Sequence, residues 1–413
     1  MSHHRHVVRS AAALAAAMGI GRFVYTPILP LMTAQAAVTA HTAAALATAN
    51  YAGYLVGAGA GSIWPRLAHS IAICRVSLIV LVASLAAMPL TDNAIEWISL
   101  RALAGFTSAL VFVIAVNTLL QHLHGRRAHL SGWGLGGVGG GIAVSAVLVL
   151  ASGRWQLAWW TSAAAAAVLT VVAWAMRPAP ETTPPGGSPR AAEDRPPHRA
   201  FALLTLSYTL EGIGYIIAGT FLVAAVAQDA PHWLGGGTWL VVGLATVPSA
   251  ALWAALSARW SHPNLLVAAL CMQALGIATA SFFGGVTAAL VRAVLFGGTF
   301  IGVSALALAA GRLLRYPRAV ALLTAGYSVG QLVGPTVVGP LLRDGYRPAL
   351  LVAAAVVLAA ALVAGLMRIV GGQPYRGVPE TEIAHAPGEF VDQRVDRRVV
   401  LIAPPHERPC PQR

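Results

Sequence analysis

Long apolar runs separated by short polar connections fill the chain from about residue 10 to residue 370. Read in windows of about 20 residues, the length of a helix that crosses the hydrocarbon layer, this pattern predicts twelve membrane helices. Their predicted ranges are 10–31, 43–63, 76–91, 95–119, 130–152, 156–176, 200–225, 237–257, 264–284, 287–310, 319–342 and 347–369. The runs are continuously apolar and do not alternate as barrel strands do, and a helix satisfies its own backbone in lipid. The sequence therefore predicts an all-α membrane protein with 12 transmembrane helices.

The composition supports this prediction. Hydrophobic residues make up 57% of the 413-residue chain and charged residues 10%, with a mean hydropathy of +0.71, against about 25% charged residues in a soluble domain. The basic start and Ala-rich stretch resemble a secretory signal, but the apolar run continues into "FVYTPILPLM", so we expect a retained first helix. Cys74, Cys271 and Cys410 form no CxxC motif and indicate neither a disulfide framework nor a metal site.

The charged residues predict the orientation. The net charge of +13 comes from 27 basic residues, all of them arginine, which gather at both termini, in alternate loops and in the segment 177–199. The loops of the opposite set hold only Arg154, Arg343 and Arg347. Because short Arg-rich loops stay in the cytoplasm, we expect cytoplasmic N- and C-termini and no nucleic-acid partner. The absence of lysine and the excess of alanine are typical of a GC-rich bacterial genome and indicate no function.

Two segments lack the apolar pattern. Residues 177–199 are rich in Pro, Gly and charge, which predicts a flexible cytoplasmic linker between six-helix units at 1–176 and 200–369. Residues 370–413 are polar and Pro-rich, so we predict a disordered cytoplasmic tail.

Three patterns recur across the linker at nearly one offset. "GIG" occurs at Gly19 and at Gly212, and an arginine precedes a glycine by four or five residues at Arg101 and at Arg292. Glycines spaced four apart form the third pair of patterns, at Gly132, Gly136 and Gly140 and at Gly326, Gly330 and Gly334. Together they indicate a duplication into two parallel pseudo-repeats, the geometry of a rocking transporter with its site between the first helices of the two units.

The chain resembles a known superfamily of transporters. The six-plus-six plan, the linker, "RALAG" from Arg101 and "GYSVGQLVGP" from Gly326 are similar to the major facilitator superfamily. Within it, "GIGRFVYTPILPLM" from Gly19, "YAGYLVGA" from Tyr51 and "EGIGYIIAGTF" from Glu211 resemble the bacterial YbfB/YjiJ family, over about residues 10–370. The resemblance implies a multipass inner-membrane transporter with the major facilitator fold, and it supplies no substrate.

One loop departs from the superfamily pattern. "GSIWPRLAHS" keeps Gly61 and Arg66, but Pro65 stands where the superfamily has an aspartate and Ala68 where it has a glycine. The usual cytoplasmic latch is therefore not predicted.

Arg22 lies in the middle of the first apolar run. An arginine at the bilayer centre costs about 2.5 to 3.5 kcal/mol on insertion scales, so it must face water or a partner. Its guanidinium is a planar fork of donors suited to a carboxylate or phosphate, which predicts an anion-binding residue. The alternative is a structural ion pair with Glu211, which the repeat places on the facing helix.

Glu211 is the candidate proton carrier, because a carboxyl in a low-dielectric cavity can exchange a proton as its neighbours move. The alternative is a hydrogen-bonded glutamate that never titrates. For Arg101 the superfamily resemblance implies a coupling role. The alternatives for Arg101, and more so for Arg292, are snorkelling or pairing with the end of a helix.

The remaining site predictions concern polar side chains and glycines within the helices. The predicted substrate-binding residues are Arg22, Tyr25, Tyr54, Tyr215 and Gln331, with Tyr25 three residues from Arg22 on nearly the same face of a regular helix. The glycines of the two ladders allow close backbone approach and are predicted gating positions. Pro27, Pro30, Pro335 and Pro340 predict helix kinks.

Other kinds of chemistry are not favoured. "GLGGVG" from Gly134 satisfies GxGxxG but has no preceding strand and no acid about twenty residues later, so no dinucleotide cofactor is predicted. The histidines lack the spacing of a metal site. A membrane-embedded lipid-modifying enzyme needs clustered acids or a base beside a nucleophile, and a non-transporting membrane sensor is a further alternative. The sequence therefore predicts a monomeric secondary active transporter of a small organic, anionic solute, coupled to protons and without cofactor or metal.

Overall fold

The computed structural model describes residues 2–122, 129–176, 198–229, 232–282, 285–314, 316 and 319–370. Most of the predicted linker, the predicted tail from residue 371, and Cys410 lie outside these residues. The described residues are helical, with turns and short connections but no strand. The all-α prediction is therefore confirmed for this part of the chain.

The helices follow the apolar runs closely. They are α1 (Ser2–Leu14), α2 (Tyr25–Gln35), α3 (Ala40–Ile63), α4 (Pro65–His69), α5 (Ile71–Ala87), α6 (Ala94–His122), α7 (His129–Leu135), α8 (Gly137–Ser152), α9 (Trp155–Ala173), α10 (His198–Asp229), α11 (His232–Leu256), α12 (His262–Phe282), α13 (Val286–Leu313), α14 (Ala319–Val338) and α15 (Tyr346–Val370). Short 3₁₀ helices at Met88–Leu90 and Gly339–Asp344 extend α5 and α14. The described part of α10 begins at His198, two residues before the predicted start.

Ten helices in the described residues are long and apolar enough to cross a membrane. The first of these spans joins α1, a π-helical turn at Ala15–Ile20 and α2 into one continuous segment, His4–Gln35. α3 and α14 are long helices outside the ten. α3 carries Asn50 and two tyrosines, which lower its mean hydropathy. The protein is therefore a multi-pass membrane protein.

The first span is irregular at its centre. After the π-helical turn at Ala15–Ile20, residues 21–24 form turns, and α2 begins only at Tyr25. Pro27 has no N–H, and a proline ring clashes with the carbonyl four residues earlier, here that of Phe23. The Thr26 N–H donates to the Phe23 carbonyl instead, at 3.2 Å. The break leaves the nearby carbonyls of Gly21 and Arg22 open to other donors.

The helices before and after the predicted linker pack into one compact unit. We call residues 2–176 the N-terminal helices and residues 198–370 the C-terminal helices. Between these sets, α2 packs on α10, α3 on α14, and α7 and α8 on α11. These contacts surround the irregular centre of the first span.

Candidate functional site

Arg22 lies at the break in the first span and contacts both sets of helices. Its side chain is 3% exposed, and its Nη2 donates a short hydrogen bond to Oε1 of Gln331 on α14. The guanidinium lies 4.0 Å from the ring centroid of Tyr54 and 5.2 Å from that of Tyr51, both on α3. Its Nε has no hydrogen-bond partner among the described residues. The Arg22 cation thus contacts the rings of Tyr51 and Tyr54 and the neutral amide of Gln331.

Arg22 forms no ion pair with Glu211 in the described part of the chain. Glu211, on α10, is fully buried, and its Oε1 accepts a hydrogen bond of 3.4 Å from Nε2 of Gln273 on α12. Its Oε2 is buried without a hydrogen-bond partner among the described residues. The alternative prediction of a structural Arg22–Glu211 pair is therefore wrong for this conformation, because each group contacts the amide of a different glutamine.

Arg101, on α6, binds the backbone at the break in the first span. Its Nη1 donates to the Gly21 carbonyl at 3.1 Å, and its Nη2 donates to the Arg22 carbonyl at 3.0 Å. Asn50 Nδ2 in turn donates to the Arg101 carbonyl at 3.0 Å. The fork of a guanidinium thus satisfies the carbonyls that the irregular helix leaves open. This geometry matches the alternative in which Arg101 pairs with the end of a helix.

Tyr25 does not lie beside Arg22, where helix periodicity predicted it, whereas Tyr54 does. The Tyr25 hydroxyl donates to the Ala43 carbonyl at 3.1 Å, and its ring centroid lies 5.3 Å from the Arg101 guanidinium. The rings that Arg22 contacts include those of Tyr54 and Tyr51, but not that of Tyr25. The prediction that Tyr25 shares the face of Arg22 is wrong, because the turns at residues 21–24 interrupt the regular helix.

Tyr215 belongs to a stack of aromatic rings in the C-terminal helices. Its ring centroid lies 4.7 Å from that of Phe300 and 6.0 Å from that of Tyr327, with planes within 18° of parallel. Tyr208 stacks on Tyr327 at 4.4 Å. The buried Tyr215 hydroxyl has no hydrogen-bond partner among the described residues. Tyr215 follows Glu211 by four residues on α10, so the two side chains share one face of that helix.

Two hydrogen bonds join the N-terminal and C-terminal helices beside Arg22. The Thr26 hydroxyl on α2 donates to the Gly219 carbonyl on α10 at 2.8 Å. The hydroxyls of Tyr51 on α3 and Thr220 on α10 lie 2.8 Å apart. Gly219 and Thr220 are neighbours on α10, so the two bonds lie close together and join the two sets of helices at one level.

The first glycine ladder packs between the two sets of helices. A Cβ atom added at Gly132 would lie 2.6 Å from Ala251 Cα, and one at Gly136 would lie 2.4 Å from the Val247 carbonyl oxygen, both on α11. Gly140 has open space where its Cβ would be, so its predicted place in this ladder is wrong. Gly139 packs there instead, 2.6 Å from the Gly243 carbonyl oxygen by the same measure.

The second ladder packs within the C-terminal helices. Added Cβ atoms at Gly326 and Gly330 would meet Thr209 of α10 at 2.7 and 2.3 Å, and one at Gly334 would meet Ile216 at 2.6 Å. The two ladders therefore resemble each other in sequence but have different partners. Only the first joins the two sets of helices.

Sequence reasoning missed the aromatic stack and Gln273. Gln273 interrupts the apolar run "LLVAALCMQALGIA", and an amide inside a membrane span is a signal that could have identified it. Tyr208 lies one turn before Glu211, on the same helix face. Arg292, on α13, is also buried. The described residues contain no group of three or more metal-ligating side chains.

These features combine a bundle of apolar helices with a buried cation, a buried acid and a polar centre shared by two sets of helices. Buried charged side chains inside a multi-pass bundle make this centre a candidate functional site. The chain belongs to the family described as uncharacterised MFS-type transporter YbfB, whose family model matches residues 14–365. The resemblance predicted from the motifs is thereby confirmed. A comparison with curated proteins finds no match.

Proposed function

We propose that this protein is a proton-coupled secondary active transporter of a small organic anion in the bacterial inner membrane. The observation that carries the proposal is Arg22, a buried cation without an acidic partner among the described residues, held between the N-terminal and C-terminal helices. A cation at this depth is costly unless it binds something. The substrate supplies the missing negative charge.

The proposed architecture has twelve membrane helices in two parallel six-helix units. The ten apolar spans account for most of them, and α3 and α14 complete the count. α3 packs on α6, and α14 packs on α10, so both lie inside the bundle. Their polar residues include the ring and amide partners of Arg22. We therefore expect α3 and α14 to have a lower hydropathy than the other membrane helices, because their polar residues line the site.

The anionic character of the substrate follows from what surrounds Arg22. Its hydrogen-bonding partner, Gln331, is neutral, and a carboxylate or phosphate accepts from a guanidinium more strongly than an amide does. Tyr54 and Tyr215 offer ring faces, and the Tyr215 hydroxyl is free to donate. Tyr25 contributes by fixing α2 against α3 rather than by touching substrate.

Alternating access requires closure on one side at a time. With a cytoplasmic N-terminus, the Thr26–Gly219 and Tyr51–Thr220 bonds lie on the periplasmic side of Arg22. The described conformation is then closed toward the periplasm. Gly136 and Gly139 place backbone against α11 without interlocking side chains, so this contact can persist while the units rock.

Proton coupling is assigned to Glu211. It is fully buried, lies on the helix that provides the Gly219 and Thr220 closing contacts, and has no arginine partner among the described residues. Arg101 takes part indirectly, because it holds the Arg22 carbonyl and so fixes where the cation stands. Movement of α10 against the first span changes the environment of the carboxyl.

The test begins with ligand binding. Purified protein is screened by thermal shift against carboxylates and organic phosphates at two pH values, since a ligand that binds the folded state stabilises it. We expect a subset of anions to stabilise wild type and not Arg22→Ala. Arg259→Ala, at an exposed arginine between α11 and α12, is the matched control and should respond as wild type does.

Flux is then measured in proteoliposomes with an imposed pH gradient. We expect uptake of the stabilising anion to follow the gradient in wild type and to lose that dependence in Glu211→Gln. Proton-dependent uptake by Glu211→Gln would rule out the assigned carrier. Binding without flux in either direction would favour a membrane sensor.

A further inference from the structure

Glu211 and Gln273 form an isolated pair deep in the C-terminal helices. Both side chains have 0% exposure. Gln273 Nε2 lies 3.4 Å from Glu211 Oε1, a long hydrogen bond. The other oxygen of each group, Oε2 of Glu211 and Oε1 of Gln273, is buried without a hydrogen-bond partner among the described residues. The pair therefore leaves two oxygen acceptors without a donor in the described part of the chain.

One proton satisfies both oxygens. A carboxylate only accepts hydrogen bonds, whereas a protonated carboxyl has one donor, and a primary amide has both a donor and an acceptor side. A proton on Oε2 can be donated to the amide oxygen while the amide N–H continues to donate to Oε1. The terminal torsions of Glu and Gln are soft, so a small rotation brings the second pair of atoms together. The result is a ring of two hydrogen bonds.

Among the described residues, Gln273 is the hydrogen-bond partner of the carboxyl. The ionisable side chains within electrostatic range of Glu211 are Tyr208 and Tyr215 on α10 and Tyr327 on α14. Arg22, from the first span, acts on the same three tyrosines and forms no ion pair with Glu211 in the described residues. α12 contributes the neutral Gln273. An isolated buried carboxylate is costly, and a neutral acid paired with an amide is not.

We infer that Gln273 is a positioning residue that holds Glu211 in its protonated form through a cyclic acid–amide pair. The described conformation is then the proton-loaded one. The role of this pair in coupling rests on the proposed function, whereas the pair itself does not. When Glu211 loses its proton, Oε2 faces the amide oxygen without a hydrogen atom between them, so the ring loses one of its two hydrogen bonds.

The pair is tested by infrared difference spectroscopy of the full-length protein in lipid, titrated with acid and base. Wild type should show the C=O band of a hydrogen-bonded carboxylic acid, and Glu211→Gln should lose it. Gln273→Met keeps the length of the side chain but removes its N–H donors. In this variant the band should move to higher frequency. Gln156→Leu, on α9, is the matched amide control and should leave the band in place.

An exchange variant makes the test decisive. Glu211→Gln combined with Gln273→Glu restores an acid–amide pair with the two groups interchanged, and the hydrogen-bonded acid band should return. Thermal stability of each variant identifies those that fold. A band unmoved in Gln273→Met, or absent from the folded exchange variant, overturns the inference. Failure of proton coupling appears instead in the uptake assay, as proton dependence that survives Glu211→Gln.

Discussion

Two buried arginines stand side by side at the break in the first span, and their partners differ. Arg101 binds the carbonyls of Gly21 and Arg22, so its hydrogen bonds stay within the N-terminal helices. Arg22 donates to Gln331, across the boundary between the two sets of helices. The Arg101 guanidinium satisfies backbone carbonyls, whereas the Arg22 guanidinium contacts a side chain that can move away.

Arg101 is thus fixed in place, whereas Arg22 can exchange its hydrogen-bond partner. Main-chain carbonyls cannot leave Arg101 unless the helix itself moves. The Gln331 amide can leave Arg22 by turning a side chain, and a ligand oxygen can take its place. Both residues are buried arginines, yet only the contact of Arg22 with Gln331 can be exchanged by turning a side chain, as the proposed function requires.

The largest effect is expected from Arg101→Ala. Removing this side chain leaves two buried carbonyls without their donor, at a cost of about 1 to 3 kcal/mol each. We expect the apparent melting temperature of the purified protein to fall by several degrees and uptake to fall with it. Arg101→Lys should recover part of the loss, because an ammonium cannot reproduce the fork. An unchanged melting temperature in Arg101→Ala would remove the distinction between the two arginines.

Arg22→Ala should have the opposite profile. Its removal relieves a cost of about 2.5 kcal/mol at the bilayer centre but leaves Gln331 Oε1 without its donor, at about 1 to 3 kcal/mol, so thermal stability should stay close to that of wild type. Saturable anion uptake should fall to background, measured in proteoliposomes beside Arg259→Ala. A loss of stability as large as that of Arg101→Ala would place both arginines in structural roles.

Gln331→Glu sharpens the comparison by supplying Arg22 with a permanent anion of nearly the same shape. Hydrogen bonds to charged groups contribute about 1.5 to 3 kcal/mol, and about 1.4 kcal/mol corresponds to tenfold in affinity. We expect the anion to bind at least about tenfold more weakly, by titration of the purified protein, with the fold intact. Gln331→Glu with unaltered affinity would show that substrate does not compete for this guanidinium.

The smallest effect is expected at the glycines that join the two sets of helices. Gly136→Ala places a Cβ 2.4 Å from the Val247 carbonyl oxygen, so α8 and α11 must separate. Gly140→Ala meets open space. Initial uptake rates should drop severalfold in Gly136→Ala and stay at the wild-type level in Gly140→Ala. Equal rates in the two variants would contradict a role for this contact in motion.

The apolar pattern predicted where the helices lie, since the length and hydropathy of each run are set by the membrane. It also identified Arg22 as a candidate site residue, because a charge in an apolar run is costly unless it has a partner. The apolar pattern could not predict which groups each buried side chain contacts. Periodicity assumes a regular helix, and the π-helical turn at Ala15–Ile20 followed by Pro27 displaced Tyr25 from the face of Arg22.

Other features depend on contacts between distant parts of the chain. The two glycine ladders share a spacing, but one packs on α11 and the other on α10. Nothing in their spacing distinguishes these partners. Gln273 is a single amide in an apolar helix. Its role becomes apparent only from the structure, where its Nε2 lies 3.4 Å from Oε1 of Glu211.

The Tyr215 hydroxyl, which has no hydrogen-bond partner among the described residues, would select between molecules in the proposed site. A buried donor left without an acceptor costs about 1 to 3 kcal/mol, so a cargo that presents an oxygen or nitrogen there is favoured over one that presents a methyl group. Discrimination between close chemical analogues would then come from the penalty on the wrong one. Phenylalanine at this position should admit a broader range of cargo while slowing the preferred one.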